Sequence, residues 1–440
     1  MIPPEPHSPV APRGLAGAIF VLGLAVGLLA ALAIERATRY FLDRDLEMVR
    51  AVRNLALEEF VGEVRPAELV DSALAGMLGG LDDYSHYYGP AELAELDRET
   101  SGEFLGIGVV FRDGEPGRIL FPYPDSPAAR AGLRVGDRIR SAQGEALEKL
   151  ESGELLGMLR RSPDEVRLEV EDLDGSAREV LLDPEVVLDP TVRHARVLDE
   201  ARGLGYVSIR SFSHRTPEEF DHAIEGLRAQ GLRALVLDLR ANPGGILDAA
   251  VTIANRFVRT GALVATRSRA ETRITRADED EAHLAGMPLV VLIDANSASA
   301  SEVLAAALQD HGAAALVGEP SYGKGSVQTL KHVDDDRAVV KLTTAYYCSP
   351  SLRRIEHIDG DLERSGIAPD LAVPLSRAER DSVYRFLFSY SPPEEALEPL
   401  RAWEERADVK LIRELPEDRQ LAAARALLGA EGLTLDAELP

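Results

Sequence analysis

The chain reads Leu235-Val236-Leu237-Asp238-Leu239-Arg240-Ala241-Asn242-Pro243-Gly244-Gly245 near its centre. A nearly unbroken apolar run like its first half is typical of a strand that is covered on both faces of a sheet. The run ends in a polar loop with two glycines, after which Ile246 and Leu247 start a predicted helix. A second apolar run, Leu289 to Ile293, is also followed by a polar loop and a helix. Strands that alternate with helices predict a layered α/β fold.

A helix with clear boundary signals is predicted just before this central strand. Thr216 is expected to be its N-cap, and Glu219, three residues later, completes the pattern of a capping box. Gly231 is expected to end the helix. These signals place a helix between two strands and support the α/β prediction.

The two loops that follow the apolar runs carry residues suited to chemistry. The glycines at 244 and 245 would let backbone amides approach a developing oxyanion, although an ordinary strand-to-helix turn also carries glycines. The second loop, Asn296 to Glu302, has Ser299 at its centre and leads into a helix at Val303 to Asp310. A serine at such a helix start lies beside free amide donors and the positive end of the helix dipole. A lone serine at this position is more often an N-cap.

Lys324 stands out because the chain uses arginine almost everywhere it needs a cation: five of its 49 basic residues are lysines. A desolvated lysine amine can accept a proton, whereas a guanidinium group cannot. Lys324 lies in the stretch Ser321 to Gln328, downstream of the serine loop. The pair predicts a serine hydrolase with a lysine base.

Taken together, these loops resemble those of the C-terminal-processing peptidases, also called tail-specific proteases. The resemblance covers roughly residues 75 to 370. Its most specific parts are the stretch 235–245, the run Ser297-Ala298-Ser299-Ala300-Ser301-Glu302, and the run Gly323-Lys324-Gly325-Ser326-Val327-Gln328. The resemblance implies a layered crotonase/Clp-like protease core and a serine-type endopeptidase that forms an acyl-enzyme.

By the same resemblance, each catalytic role falls on a particular residue. The nucleophile would be Ser299, the general base would be Lys324, and the supporting glutamine would be Gln328. The oxyanion would be bound by the backbone amide of Ala300 and by that of Gly244 or Gly245, with the choice between the two glycines left open.

Residues 101–184 resemble a PDZ domain, inserted before the protease core. Glycines flank an apolar strand at Phe104 to Phe111, and the segment Asp125 to Ile139 has the helix and turn pattern of such domains. The resemblance implies a backbone nest that captures the C-terminal carboxylate of a peptide while the peptide adds as a strand. The residues of this nest would be Leu105, Gly106, Ile107 and Gly108. The alternative is that these glycines only make a tight turn.

The N-terminal region predicts a membrane anchor. Leu15 to Ile34 is a stretch of 20 residues without a charge, which is the length one helix needs to cross a bilayer. We therefore expect a short tail at 1–13, a transmembrane helix at 14–34, and a single-pass protein of the cytoplasmic (inner) membrane. Because the tail before the helix is too short to fold, the catalytic body is expected outside the cytoplasm, in the periplasm if the cell is Gram-negative. A cleaved signal peptide ending near Ala31-Leu32-Ala33 is the alternative.

The remaining segments complete the predicted domain organisation. Residues 35–100 are expected to be helical, with packing faces that include Leu46, Val49, Val52 and Leu55. Within this segment, Leu81 to Tyr88 is an aromatic turn for which the sequence indicates no chemistry. Residues 185–375 would form the protease core. Residues 376–440 would form a helical C-terminal segment that either caps the core or mediates oligomerisation.

Composition narrows the possible partners. A formal net charge of −25 argues against nucleic acid, because there is no basic stripe to neutralise phosphates. A single cysteine, Cys348, excludes an internal disulfide framework and a cysteine-based zinc site. We therefore expect no metal and no cofactor. The expected partners are proteins or peptides with free C-terminal tails, the membrane through the N-terminal helix, and a homo-oligomer or an adaptor protein.

Three alternatives stay open at this point. The chain could be an inactive scaffold that holds C-termini in the PDZ-like domain, or a crotonase-type enzyme, although no acyl-CoA motif is present. His311 beside Asp310 could complete a Ser-His-Asp triad, although His311 is also placed to end the helix after Ser299.

One departure from the family pattern is Leu352, which stands where relatives carry glycine and puts the local turn in doubt.

Overall fold

The computed structural model describes residues 24–30 apart from 25 and 28, 44–90, 92–93, 103–147 apart from 113 and 116, 165–333, 337–356, 366–407, and 415–429 apart from 417. The chain divides into two compact units, Met1–Leu81 and Asp82–Pro440.

The first unit is helical where it is described. Residues 44–59 form one helix, and α1 (Pro66–Gly79) follows with proline in its first turn. The side chains predicted to form a packing face are more than half exposed: Leu46, Val49, Val52 and Leu55. The predicted transmembrane segment 14–34 lies almost entirely outside the described residues; residues 24, 26, 27, 29 and 30 are helical. Among the described helices, none is both long and apolar enough to span a bilayer.

The second unit begins with the aromatic turn and a short strand. Residues His86–Tyr88 form β1, so the segment predicted to be helical, 35–100, also contains a strand. The reason is a long-range contact, since β1 pairs in antiparallel fashion with residues 339–341. The turn that precedes β1 is thereby joined to the protease core.

A small β-rich region with its own core follows. Its elements are β2 (Glu103–Gly106), β3 (Val109–Phe111), β4 (Ile119–Pro122), α2 (Pro127–Arg130), β5 (Arg138–Ala142), β6 (Glu145–Ala146), β7 (Val166–Glu171), β8 (Ala177–Leu182) and β9 (Glu185–Leu188). Ser126 caps α2 by accepting a hydrogen bond from the Ala129 N–H at 3.2 Å. Alternating side chains of β7 are buried and pack with Ile119 and Ile139 in one apolar cluster.

The core alternates strands with helices, as predicted. Its elements are β10 (Val192–Asp199), β11 (Leu204–Ile209), α3 (Thr216–Ala229), β12 (Ala234–Asp238), α4 (Leu247–Phe257), β13 (Ala262–Ser268), β14 (Thr272–Arg276), a 3₁₀ turn (Glu279–Glu281), β15 (Leu289–Ile293), α5 (Ala300–Asp310), β16 (Ala315–Gly318), β17 (Ser326–Val333), β18 (Ala338–Cys348) and β19 (Leu371–Ala372).

These strands make two sheets. The main sheet has the order β10-β11-β12-β15-β16-β19, and all of its pairs except β10 with β11 are parallel. The second sheet has the order β1-β18-β13-β14, with β17 also paired to β18. Because the carboxyl ends of parallel strands meet at one edge of a sheet, the loops after β12 and β15 lie side by side there.

Both faces of the main sheet are covered, as the apolar run predicted. Leu235 and Leu237 pack in the cluster that also contains side chains of α3, α4 and α5. Val236 points the other way and packs with residues of α6 (Arg377–Phe388) and α8 (Arg419–Gly429). The period of two along β12 therefore builds a helix–sheet–helix sandwich.

The described part of the C-terminal segment contains helices that contact both the β-rich region and the core. While α6 and α8 cover the main sheet, α7 (Glu394–Ala407) packs against the β-rich region. The cluster they form contains Val110, Phe121, Val135, Ala396, Leu400 and Trp403. This segment therefore bridges the β-rich region and the core.

The capping box predicted for α3 is wrong. Thr216 is the first residue of the helix and Arg215 holds the N-cap position. The Thr216 hydroxyl bonds that of Thr191 at 2.7 Å. The Glu219 carboxylate accepts hydrogen bonds from the backbone N–H groups of Thr191 and Val192 at 2.8 and 3.1 Å. Both side chains are thus used to hold the segment that enters β10, which is a long-range contact that spacing does not reveal.

Leu352 adopts a left-handed backbone conformation of the kind that favours glycine. Its φ is +65°, a left-handed value that costs a non-glycine residue about 1 kcal/mol or more. Its N–H donates to the Ser349 carbonyl at 2.8 Å. The turn is therefore kept, with local strain.

Candidate active site

Ser299 lies at the point where the loop after β15 enters α5. Its φ of +58° and ψ of −116° are a strained combination for a residue with a side chain. Such strain persists only where the surrounding structure holds it. Ala300 is the first residue of the helix, and no described group accepts a hydrogen bond from its N–H, as is usual for the first turn. A half-buried serine therefore stands beside a free backbone donor.

The Glu302 side chain holds the loop that carries Ser299 against the segment that carries Lys324. It is fully buried. Its Oε2 accepts hydrogen bonds from the backbone N–H groups of Ser299 and Lys324, each at 2.8 Å. Its Oε1 accepts one from Gly323 N–H at 2.6 Å and one from the Ser321 hydroxyl at 2.5 Å. The backbone nitrogens of Ser299 and Lys324 therefore lie within about twice a hydrogen-bond length of each other.

Two opposite effects act on the pKa of the Glu302 carboxylate. Burial raises the pKa of Glu302, and the hydrogen bonds from Ser321, Gly323, Ser299 and Lys324 oppose that shift. Three of the four donors are backbone N–H groups, which cannot accept a proton in return. The site is therefore shaped to receive a carboxylate with its oxygens unprotonated.

Lys324 is half-buried, and its ammonium group lies on the ring of Tyr84. The Nζ atom is 4.6 Å from the ring centroid. Within the described residues, no hydrogen bond joins this group to the Ser299 hydroxyl. Burial lowers the pKa of Lys324, the nearby charge of Lys341 lowers it further, and the Glu302 carboxylate opposes the shift. The environment thus favours the neutral amine that a general base requires.

Gln328 lies on β17 and bonds within the second sheet. Its Nε2 donates to the Ser326 hydroxyl at 2.9 Å and to the Thr343 hydroxyl at 3.2 Å. It makes no hydrogen bond to Lys324 in the part of the chain that the structure describes. Gln328 is therefore fixed on β17, the strand that begins two residues after the predicted base Lys324.

Asn242 connects the glycine loop to the serine loop. Its side chain is fully buried; Oδ1 accepts the Gly244 N–H at 2.9 Å, and Nδ2 donates to the Ile209 carbonyl at 2.8 Å. Its backbone carbonyl accepts the Ala298 N–H and the Ser301 hydroxyl, both at 3.0 Å. The two loops are therefore locked in one register.

The two glycines of the loop, Gly244 and Gly245, differ in whether their backbone N–H group is already hydrogen-bonded. A Cβ on Gly244 would lie 2.7 Å from the Ser299 Cβ and 3.0 Å from the Ala300 nitrogen, so Gly244 touches the serine turn. Its N–H is already bonded to Asn242. The Gly245 N–H has no acceptor among the described groups. A Cβ on Gly245, whose φ is +139°, would lie 2.1 Å from the Phe212 carbonyl oxygen, so neither position accepts another residue.

A buried ion pair supports the start of the glycine loop. The guanidinium group of Arg240, which has no exposed surface, bonds the Asp238 carboxylate at 2.7 Å and that of Asp418 at 3.0 Å. Gln420 accepts a further bond from it at 3.0 Å. The C-terminal segment thus helps to fix the loop that carries Gly244 and Gly245.

The predicted nest of the PDZ-like region has two free donors. Leu105 and Gly106 end β2, which pairs with β9. The carbonyls of Ile107 and Gly108 accept bonds from Ala128 and Tyr123, both at 2.9 Å. No described group accepts a bond from the N–H of Ile107 or of Gly108. Gly108 has a φ of +74°, and a Cβ there would lie 2.3 Å from the Ser126 Cβ, which is a reason for glycine.

His311 does not belong to this site. It forms the C-cap of α5, and its Nε2 lies 2.6 Å from the Ala262 carbonyl oxygen. Since Ser299 is the N-cap and His311 the C-cap of this helix, about 18 Å separate the two positions. The prediction that His311 ends the helix is confirmed, and a triad through it is excluded.

Glu302 and Asn242 hold the loops of the candidate site together, and the role of neither residue was predicted from the sequence. The spacing Ser299-x-x-Glu302 is that of a capping box, so the link from Glu302 to the Ser299 N–H could have been predicted. Its links to Ser321, Gly323 and Lys324 could not, because they cross between distant segments. Within the residues that the structure describes, no cluster of His, Cys, Asp and Glu side chains could hold a metal ion.

Comparisons with known proteins converge on one family. Residues 203–373 match the model of "Peptidase family S41", and residues 119–172 match that of "PDZ domain". The carboxy-terminal-processing protease of Bartonella bacilliformis is 33% identical over 327 residues, which cover 72% of this chain and 72% of that protein. The carboxyl-terminal-processing protease of a Picosynechococcus species is 32% identical over 388 residues, 82% of this chain and 89% of that protein.

A solved structure with a similar chain is a photosystem II D1 C-terminal processing protease. It is 29% identical, and the match covers 77% of this chain and 90% of that one, with a TM-score of 0.44.

Proposed function

The chain belongs to peptidase family S41, the carboxy-terminal-processing serine proteases, and on that premise we propose that it cleaves protein substrates with Ser299 as nucleophile and Lys324 as general base. The observation that carries this assignment is the Glu302 carboxylate, which binds the backbone N–H groups of both residues at 2.8 Å. One buried side chain thus brings together a strained serine and a lysine whose pKa is lowered by burial.

The proposed reaction is acyl transfer. The neutral Lys324 amine takes the proton of the Ser299 hydroxyl while Oγ attacks the carbonyl carbon of the substrate. The resulting ammonium group returns the proton to the leaving amine when the C–N bond breaks. Water then attacks the ester while the same amine takes its proton, and the ammonium group returns that proton to Ser299 Oγ when the C–Oγ bond breaks and the carboxylic product leaves. General-base assistance of this kind contributes about 10²- to 10⁴-fold.

The oxyanion of the tetrahedral intermediate needs two donors, and two backbone N–H groups at the site lack an acceptor. We assign them to Ala300 and Gly245, because the Gly244 N–H is bonded to Asn242. A preorganised donor of this type contributes about 10²- to 10³-fold. The contact of Gly244 with Ser299 is a close approach that only glycine permits. Gln328 would support the base from the neighbouring strand.

We assign substrate capture to the PDZ-like region. The N–H groups of Ile107 and Gly108, for which no described group is an acceptor, follow directly on Leu105 and Gly106 at the end of β2, and this arrangement is suited to bind the carboxylate of a protein tail. The substrates would then be proteins with free C-terminal tails.

Residues 14–34 are proposed as a single membrane anchor in the cytoplasmic membrane that leaves the body outside the cytoplasm, as the uncharged stretch supports. Extraction of membranes with alkaline carbonate tests the anchor, since deletion of 14–34 should release the protein.

The experiment that tests the function compares cleavage of two unfolded proteins that differ only in their tails, Ala-Ala or Asp-Asp. The full chain in detergent is assayed beside its Ser299→Ala, Lys324→Ala and Lys324→Arg variants. We expect cleavage by the parent alone, and faster cleavage of the apolar tail. Near-normal turnover by Lys324→Arg would refute the role of Lys324 as general base. Equal cleavage rates for the two tails would refute selection of substrates by their tails. Tail binding without cleavage by the parent would support an inactive scaffold instead.

A further inference from the structure

The aromatic turn places a ring against the proposed general base. Tyr84 is half-buried, and the Lys324 Nζ lies 4.6 Å from its ring centroid. This distance is within the range at which the face of an aromatic ring attracts a cation. The ring is therefore the neighbour that the Lys324 ammonium group contacts in this structure, in place of the Ser299 hydroxyl.

Hydrogen bonds hold the backbone of the turn from which the ring projects. Asp82 Oδ1 accepts the backbone N–H groups of Tyr84 and Ser85 at 2.8 and 2.6 Å. The buried Ser85 hydroxyl accepts the Thr343 N–H at 3.2 Å, and the Thr343 hydroxyl is bonded by Gln328. The backbone of the turn that carries Tyr84 is thus fixed to β18, which pairs with the strand that follows Lys324.

The groups that act on the pair come from several elements. Glu302 and Lys341 act on Lys324 from α5 and β18, while Asp82, Asp83 and Tyr322 act on Tyr84. Burial, with the hydrogen bond to Tyr322 and the nearby charges, raises the pKa of Tyr84 to about 12. The ring is therefore neutral at working pH, and what it offers the ammonium group is its π face.

We propose that Tyr84 is a positioning residue for the reaction: its ring binds Lys324 in the charged form, holds it off Ser299, and releases it when it becomes neutral. A neutral amine has no charge for the ring to attract, so protonation decides whether the side chain stays on the ring. The contact therefore raises the pH at which the base becomes available, against the effect of burial. This inference rests on the proposed role of Lys324.

The test is the pH profile of kcat/KM for a short fluorogenic peptide, measured with the full chain and with Tyr84→Leu and Tyr84→Phe. Leucine keeps an apolar wall but removes the π face, whereas phenylalanine keeps the ring and removes the hydroxyl. For Tyr84→Leu we expect the acid limb to move down by about half to one pH unit. Activity on that limb should rise about three- to tenfold, with an unchanged alkaline plateau. Tyr84→Phe should keep the limb of the parent.

An acid limb of Tyr84→Leu that stays in place would overturn the inference, as would equal shifts in both variants, since the hydroxyl would then be responsible. Should Tyr84→Leu not fold, Tyr84→Met makes the same change with a flexible side chain. Competitive acetylation of the Lys324 amine in the Ser299→Ala background gives a second readout without activity. The same downward shift of its titration is expected when the ring is removed, and no shift would count against the ring.

Lys324→Ala separates this inference from the proposed function. If Lys324→Ala is inactive and the Tyr84 variants leave the profile unmoved, only the role of Tyr84 fails. If Lys324→Ala keeps the activity and profile of the parent, the assignment of the base itself fails.

Discussion

Replacement of Glu302 by glutamine tests how much of the site depends on one buried carboxylate. The four hydrogen bonds it accepts use both oxygens: Oε2 serves the backbone of Ser299 and Lys324, and Oε1 serves Gly323 and Ser321. In Glu302→Gln one oxygen becomes an NH₂ group that can only donate. The least costly orientation places that group toward Ser321, whose hydroxyl can accept, and keeps the oxygen toward Ser299 and Lys324.

The magnitude follows from what this orientation leaves unsatisfied. The Gly323 N–H is stranded in a buried position, which costs about 1–3 kcal/mol, and the two remaining bonds lose the assistance of a charge. The smaller desolvation cost of a neutral amide offsets part of this loss. We expect the free energy of unfolding to fall by about 2–3 kcal/mol. A displacement of Ser299 relative to Lys324 by about 1 Å would in addition lower kcat up to about 100-fold.

The assay pairs urea unfolding with kcat on the alkaline plateau, where removal of the Glu302 charge no longer affects the protonation of Lys324. Glu219→Gln is the matched control, because Glu219 also accepts hydrogen bonds from Thr191 and Val192 but lies on α3. All three of these hydrogen bonds go to Oε2, which glutamine retains as its carbonyl oxygen, while Oε1, which lies 3.8 Å from Arg215 Nε, becomes the amide nitrogen. It should lose about 1 kcal/mol of stability and keep its kcat. An unchanged stability and kcat in Glu302→Gln, or an equal fall of kcat in both variants, would refute the reasoning.

Substitutions at three further positions test contacts that stabilise the fold. Asp418→Ala removes one partner of the buried Arg240 guanidinium and should lower the free energy of unfolding by about 3 kcal/mol in urea; a loss below about 1 kcal/mol would contradict the pairing. Leu400→Ala opens a fully buried contact beside Trp403; it should cost about 2–4 kcal/mol and shift the emission of this single tryptophan to the red, whereas unchanged emission would show that α7 does not depend on the contact. Leu352→Gly should leave stability within about 0.5 kcal/mol of the parent, since relief of the positive φ offsets the added chain entropy, while Leu352→Val should lose about 1 kcal/mol; a clear loss with glycine would show that the side chain is needed.

The sequence predicted those features that arise from local pattern. The apolar run at Leu235–Leu239 predicted a strand covered on both faces, and β12 is buried throughout. The membership of the peptidase family, the α/β core, the PDZ domain and the serine-peptidase activity are confirmed. Each of these predictions rests on short runs of sequence, within which spacing and composition are informative.

The features that the sequence did not predict depend on contacts between distant segments. Thr216 and Glu219 have the spacing of a capping box, yet their side chains bond Thr191. The ring of Tyr84 meets Lys324 only because β1 pairs with β18. A sequence pattern contains no information on which remote segment will supply a partner. The transmembrane helix, the division into six segments and the catalytic roles stay predictions.

The central claim is that Lys324 activates Ser299, and covalent labelling tests it most directly. The full chain and its Lys324→Ala variant are treated with a fluorophosphonate, which reacts with activated serines, and the labelled residue is located by peptide mass spectrometry. The account predicts a label on Ser299 in the parent and a rate lower by about 10²-fold or more in Lys324→Ala. A label on another serine, or labelling of Ser299 at the same rate without Lys324, would contradict it.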